Sequence, residues 1–277
     1  MLSLLKVILL GIVEGVTEWL PISSTGHLLL LDEFVRLDVS PEFKELFMIV
    51  IQLGAILAVA VLFWNRLWPF QNPKRGASGG SVLRADVMAM WGKVVLACIP
   101  GAIAALTLDD WIEARLHRPA VIAAALIVYG VAFLFLETWN RKRQPKYRTV
   151  DELPWHVAFG VGLFQVLSLI PGTSRSGSTI LGGLILGSSR VASAEFTFFL
   201  AVPAMFGYSL VKLLKFGLHF TSGELGLLLV GMAVAFAVSL AAIRFLMHYV
   251  KTHDFKLFGW YRIALGALVL LYFLVIK

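Results

Sequence analysis

A single cysteine, Cys98, occurs in 277 residues. One thiol cannot close an intrachain disulfide, and it excludes a cysteine-based metal centre. Inside its apolar run Cys98 reads as a packing residue. Charge is also scarce, at 15% of residues against roughly 25% in soluble domains. No stretch is long or polar enough for a separate soluble domain. No basic stripe interleaved with aromatics is present, so the footprint of a nucleic-acid binder is missing. The chain is instead 59% hydrophobic with mean hydropathy +0.84. It reads as one polytopic, all-helical membrane domain over residues 1–277. The formal charge of +7 matches the usual excess of Lys and Arg in cytoplasmic loops. Met1–Leu20 does not read as a cleaved signal, because Glu14 and Glu18 interrupt its apolar part and no Ala-x-Ala-like site follows.

Six runs are long enough to span a bilayer, which takes about 20 apolar residues: Leu46–Trp64, Val87–Leu108, Pro119–Trp139, Phe196–Leu214, Leu225–Met247 and Leu257–Ile276. Two other regions, Leu4–Leu31 and Trp155–Gly187, are broken in the middle by Pro and hydroxyl residues. Each half is short for a span, so both are expected to be re-entrant helix–loop–helix hairpins. Irregular backbone at that depth is tolerated only where it is buried in protein or lines a cavity. Pro21-x-Ser23-Ser24 and Pro171-x-Thr173-Ser174 are separated by the same distance as Glu45 and Glu195. The chain therefore reads as two repeats, about 1–141 and 151–277, each one hairpin plus three spans. An odd number of spans makes the second repeat inverted, a transporter-like architecture.

Lys and Arg cluster after spans one, three and five, as in Arg66–Arg84, Arg141–Arg148 and Lys251–Lys256. That side is taken as cytoplasmic. The acidic connections, with Asp32, Glu33, Asp38 and Glu42 and with Asp109, Asp110 and Glu113, then lie outside, and so do both termini. Asn72–Ser81 is expected to be a flexible cytoplasmic loop. Arg262 and Lys93 are expected to snorkel toward that surface.

The chemistry concentrates in the two breaks. Glu14 and Glu18, spaced i,i+4, share a helix face. They could hold a divalent cation through hard oxygen ligands, or one could serve as a general acid or base. A charge at that depth is costly enough to be a functional hypothesis by default. Pro21 ends the first half-helix. Ser23 or Ser24 then caps the second, and the N–H groups of Thr25, Gly26 and His27 are expected to face the gap, an arrangement suited to phosphate. Ser24 and His27, one turn apart, read as a nucleophile and its base, or His27 is a packed histidine. The segment Pro171–Thr179 repeats the logic. Thr173 or Ser174 caps, the N–H groups of Arg175, Ser176 and Gly177 face the cavity, and Arg175 adds a planar fork for phosphate. With Gly172, Ser176 and Thr179 this forms the second wall of a phosphate site, and Gln52 is expected to line the same cavity.

At these residues the chain resembles the bacitracin-resistance family of undecaprenyl-diphosphate phosphatases. The likeness rests on Glu14-Gly15-x-Thr17-Glu18, Ser23-Ser24-Thr25-Gly26-His27 and Pro171-Gly172-x-Ser174-Arg175-Ser176-x-x-Thr179, and it runs the whole length. The resemblance implies an enzyme of the bacterial cytoplasmic (inner) membrane that removes the terminal phosphate of undecaprenyl diphosphate. That reaction recycles the lipid carrier for peptidoglycan and other wall polymers. It also implies a divalent cation (Mg²⁺ or Ca²⁺), a site facing the extracytoplasmic side, and a homodimer. By the same carry-over Glu14, Glu18, Ser24, His27, Ser174 and Arg175 are the functional set. The residues alone reach only an intramembrane site for an anionic amphiphile. A secondary transporter or flippase for such a lipid is the rival reading, and it would leave its substrate chemically intact.

Overall fold

The computed structural model describes residues 2–70, 82–217 and 220–273. Eleven α-helices are found there: α1 (Leu2–Thr17), α2 (Ser24–Phe34), α3 (Pro41–Leu62), α4 (Trp64–Leu67), α5 (Ala85–Leu116), α6 (Pro119–Asn140), α7 (Trp155–Val166), α8 (Arg175–Ile185), α9 (Arg190–Phe216), α10 (Ser222–Tyr249) and α11 (Lys256–Leu271). Among the described residues no strand forms; Phe70–Leu83 and Tyr147–Ser188 make isolated bridges. Five helices are long and apolar enough to cross a membrane: α3, α5 to Leu108, α6, α9 and α10. Large apolar side chains such as Leu106, Phe135 and Leu214 are exposed on their outer faces, as a lipid solvent requires.

The expected sixth span corresponds to α11, which has 16 described residues. Its last part, residues 274–276, and the expected loop Asn72–Ser81 lie outside the described residues. Helix starts fall earlier than hydropathy suggests. Ser40 caps α3 ahead of Pro41 at its first position, Ser189 caps α9, and Thr221 with Glu224 forms a capping box on α10. These polar first turns are invisible to a search for apolar runs but satisfy the orphan N–H groups. Helix α5 overruns its expected end: Asp109, Asp110 and Glu113, read as an acidic connection, belong to the helix. No Gly or Pro occurs between Leu108 and Leu116 to stop it.

Both broken regions form helix–break–helix units. At about 1.5 Å per residue, α2 and α8, with 11 residues each, reach roughly 16 Å, half of a hydrocarbon core. The packing partners mirror each other. Helix α1 lies on α10 and α7 on α5, α3 lies on α10 and α9 on α5, while α6 pairs with α11 and α3 with α9. The α6–α11 contact is backbone-close. A Cβ on Gly130 would meet the Gly259 carbonyl oxygen at 2.7 Å, and one on Gly259 would meet that of Gly130 at 2.9 Å. The main core holds Trp19, Phe133, Phe198, Phe199 and Phe255, so both breaks rest on a rigid apolar base.

Candidate active site

The first break follows Thr17. Glu18–Ile22 form turns, and Ser23 caps α2 by accepting from the Gly26 N–H at 3.4 Å. The second break ends in the same device: Ser174 caps α8 and accepts from the Gly177 N–H at 3.1 Å. Among the described residues these two serines alone combine a side chain with positive φ, 73° and 69°. Their equivalence sets the register. Pro21 stands two residues before its cap and Pro171 three before its own, so Ser23, not Ser24, matches Ser174. The caps also engage Gly26 and Gly177, so those two N–H groups are not free for a ligand as expected.

With Ser23 as cap, Ser24 is released to face Glu18 and donates to its Oε2 at 3.2 Å. Arg175 Nη2 donates to Glu18 Oε1 at 3.0 Å, and its Nη1 to the Thr197 carbonyl at 3.0 Å. One carboxylate therefore holds a hydroxyl and a guanidinium drawn from opposite walls. The Arg175 guanidinium also lies 6.0 Å from the Trp19 ring centre, and Trp19 is locked edge-on against Phe198. All three groups line a cavity of about 850 Å³. Thr25, Gln52, Gly172 and Ser174 line it too, as expected from the sequence. Gln165 and Ser168 join them unforeseen, and Met48, Ile49, Pro203, Ala204 and Met205 supply an apolar stretch of wall. Cys98 lines the cavity as well as packing on the core.

Several expected site residues take other places. His27 does not pair with Ser24. Its Nδ1 lies 2.7 Å from the Ser23 carbonyl and its Nε2 2.6 Å from the Tyr261 hydroxyl, and its ring stacks on Tyr261. A carbonyl only accepts, so Nδ1 carries a proton, and in the neutral ring Nε2 then accepts from the Tyr261 hydroxyl. Thr173 bonds the carbonyls of Leu167 and Ile170, Ser176 bonds that of Leu20, and Thr179 meets the Thr197 hydroxyl at 2.8 Å. These three are buried and shape the loop rather than line the cavity.

Two expected snorkellers are buried instead. Lys93 donates to the Asp151 carbonyl at 3.0 Å. Arg262 is 0% exposed and bonds three carbonyls: Pro21 at 3.1 Å, Gly172 at 2.8 Å and Thr173 at 2.9 Å. It thus ties both breaks together, and its guanidinium lies 5.3 Å from the Tyr129 ring centre. A full charge within an apolar run was the sequence signal for this role. Carbonyls from distant breaks, which leave no mark on local composition, were the missing partners.

Glu14 sits one turn behind Glu18, whose N–H bonds the Glu14 carbonyl at 3.0 Å. Its side chain is fully buried, and neither carboxylate oxygen has a hydrogen-bond partner among the described residues. Such an orphaned buried acid fits a divalent cation. No cluster of three or more His, Cys, Asp or Glu occurs among the described residues, so further ligands would come from elsewhere. Magnesium sites commonly join one or two carboxylates to substrate phosphates.

Three relatives carry the same name, "Undecaprenyl-diphosphatase". That of Enterococcus faecalis is 59% identical over 270 residues, covering 98% of this chain and 97% of the relative. That of Lachnoclostridium phytofermentans is 53% identical, covering 100% and 99%. That of Acetivibrio thermocellus is 52% identical, covering the whole of both chains. The family model described as "Bacitracin resistance protein BacA" matches residues 7–268. This multi-pass membrane protein therefore belongs to the bacitracin resistance protein BacA family.

Proposed function

We propose that the chain hydrolyses undecaprenyl diphosphate to undecaprenyl phosphate and inorganic phosphate; its relatives carry the name undecaprenyl-diphosphatase. The observation that carries this reading is the Ser24–Glu18–Arg175 group on the wall of a cavity that is polar at the breaks, apolar along Met48, Ile49, Ala204 and Met205, and charged at Asp32, Lys44, Glu45 and Lys212. The polar end suits a diphosphate and the apolar stretch a prenyl tail.

Ser24 Oγ attacks the terminal phosphorus, and Glu18 Oε2 takes its proton, a role worth about 10²–10⁴ in rate. The bond from that phosphorus to the bridging oxygen breaks, and the prenyl phosphate leaves. Water then cleaves the seryl phosphate and the proton returns. Arg175 turns from Glu18 toward the transferred phosphoryl oxygens and stabilises their charge. Glu14 with Glu18 would hold a divalent cation, Mg²⁺ or Ca²⁺, which would offset charge on the diphosphate. His27 acts through position, fixing the first turn of α2 against Tyr261.

The finer architecture is six spans and two re-entrant hairpins in an inverted repeat. The exchange of packing partners between the halves supports it, and so do the matching serine caps. The bias of Lys and Arg supports a cavity mouth and both termini on the extracytoplasmic side. A homodimer is the expected assembly. The same two-fold construction would also serve carrier reorientation across the membrane.

The test is phosphate release from undecaprenyl diphosphate by the purified protein in detergent, with Mg²⁺ or with chelator. Release that needs the cation and disappears in Ser24→Ala and Arg175→Ala supports the reading. Absence of release from folded protein under several cations, with lipid transfer in sealed vesicles, would replace it with the transporter reading.

A further inference from the structure

A second cavity, about 510 Å³, lies at the other end of the bundle. Helix α6 has 22 residues, about 33 Å, and its two ends serve different cavities. His117, beside its start, lines the first; Glu137 and Asn140, at its end, line the second. The wall of the second cavity is completed by residues 143–146, the end of α8, the start of α9, and Val250 with Lys251.

The lining is basic. Among the described residues Glu137 is its sole carboxylate, and Glu137 is committed elsewhere. It accepts from Arg190 Nε at 2.9 Å and from the Phe255 N–H at 3.0 Å. Asp254 stands nearby but outside the lining, where it accepts from the Lys256 N–H at 3.1 Å. Arg143, Lys146 and Lys251 are exposed lining residues, and among the described residues no carboxylate of the lining opposes them. Arg143 places its guanidinium carbon over the Trp139 ring, 3.4 Å from the ring centre, which restrains its position.

Two polar features point the same way. Helix α9 starts at this cavity. Ser189 takes the Ala192 N–H at 3.1 Å, which leaves the N–H groups of Arg190 and Val191 outside the intrahelical ladder at a partially positive end. Independently, Ser188 lines the cavity while only 5% exposed, and its hydroxyl has no hydrogen-bond partner among the described residues. A buried hydroxyl is costly to leave unpaired, and a tetrahedral oxyanion here would satisfy it. Beside these groups, Leu184, Ile185 and Leu186 give an apolar flank.

We propose that this cavity binds a phosphate group, carried by the headgroup of an anionic phospholipid from the leaflet at that end of the bundle. Basic pockets between membrane helices recognise such headgroups, and the apolar flank accommodates the glycerol and upper chain, which free phosphate lacks. The inference is independent of the diphosphatase reading.

The test uses the full chain in detergent with three probes: short-chain phosphatidylglycerol, short-chain phosphatidylcholine and inorganic phosphate. Binding is read by native mass spectrometry and by the rise in unfolding temperature. The variant is Lys146→Gln with Lys251→Gln, both exposed and therefore tolerated. The control, Arg141→Gln with Lys142→Gln, removes equal charge outside the lining. Phosphatidylglycerol is expected to bind wild type and control alike, phosphatidylcholine not at all, and the cavity variant more weakly by about fivefold per lysine. Displacement of the lipid by inorganic phosphate, with the same loss in the variant, keeps the site and makes free phosphate its ligand. Equal weakening in the control, or none in the cavity variant, overturns the proposal.

Discussion

Arg175 and Glu18 meet at 3.0 Å although 157 positions separate them. The pair joins the two broken regions at the cavity wall, with side chains 13% and 9% exposed. Removing one partner of a nearly buried pair leaves an uncompensated charge, typically about 3–5 kcal/mol. Glu18→Gln is expected to lower the unfolding temperature in detergent and to cut phosphate release by about 10²–10⁴. Glu18→Gln combined with Arg175→Gln is expected to recover much of the stability and none of the activity. Recovery of both would show that the pair is structural only.

Arg262 makes a separate, testable contribution. Arg262→Met keeps much of the volume but strands the carbonyls of Pro21, Gly172 and Thr173, each worth about 1–3 kcal/mol when buried without a donor. Thermal unfolding should fall sharply, and phosphate release should fall with it. Arg262→Lys should rescue little, because a compact ammonium cannot reproduce the planar fork. Wild-type stability in Arg262→Met would remove the tie between the two breaks.

The strained caps give a prediction whose sign distinguishes strain from capping. Ser23 and Ser174 hold φ values that L-residues rarely adopt. Glycine relieves that cost and loses only a few tenths of a kcal/mol as a cap, whereas alanine loses about 0.5–2 kcal/mol. Ser174→Gly should therefore unfold close to wild type and Ser174→Ala clearly below it, as measured by thermal melts in detergent. The opposite order would contradict the backbone geometry.

Glu14 should respond to cations. With both oxygens unpartnered, its charge is a liability unless a cation offsets it. In chelator, Glu14→Gln is expected to match or exceed the wild-type unfolding temperature. In millimolar Mg²⁺ the wild type should gain stability and the variant should not. An equal gain in both proteins would place the cation elsewhere.

Much of the architecture was legible in the sequence. Apolar runs located the helices, and Pro21 and Pro171 marked both breaks, because a missing N–H and a hydroxyl cluster cannot hide in a membrane span. Glu18, Ser24 and Arg175 stood out in the sequence for the same reason, and the structure brings the three together at the cavity wall. Register was harder. The choice between Ser23 and Ser24 depends on a single φ angle, and with it went the expected Ser24–His27 pair, replaced by Ser24–Glu18. Partners that come from distant helices were not legible. Tyr261 for His27, Thr197 for Arg175, and the loop carbonyls for Arg262 are set by packing, which local composition does not encode. The ends of α5 and α9 show the milder form of that limit, since caps and the absence of breakers decide them rather than hydropathy.

The position of Arg262 has a consequence for biogenesis. The residue that ties the two breaks belongs to α11, which leaves the ribosome after α1–α10. Until it enters the bilayer, Glu18 and Arg175 are already inserted but their loops lack their common pin. A product truncated after α10 is therefore expected to enter the membrane without this pin and to release less phosphate than the full chain.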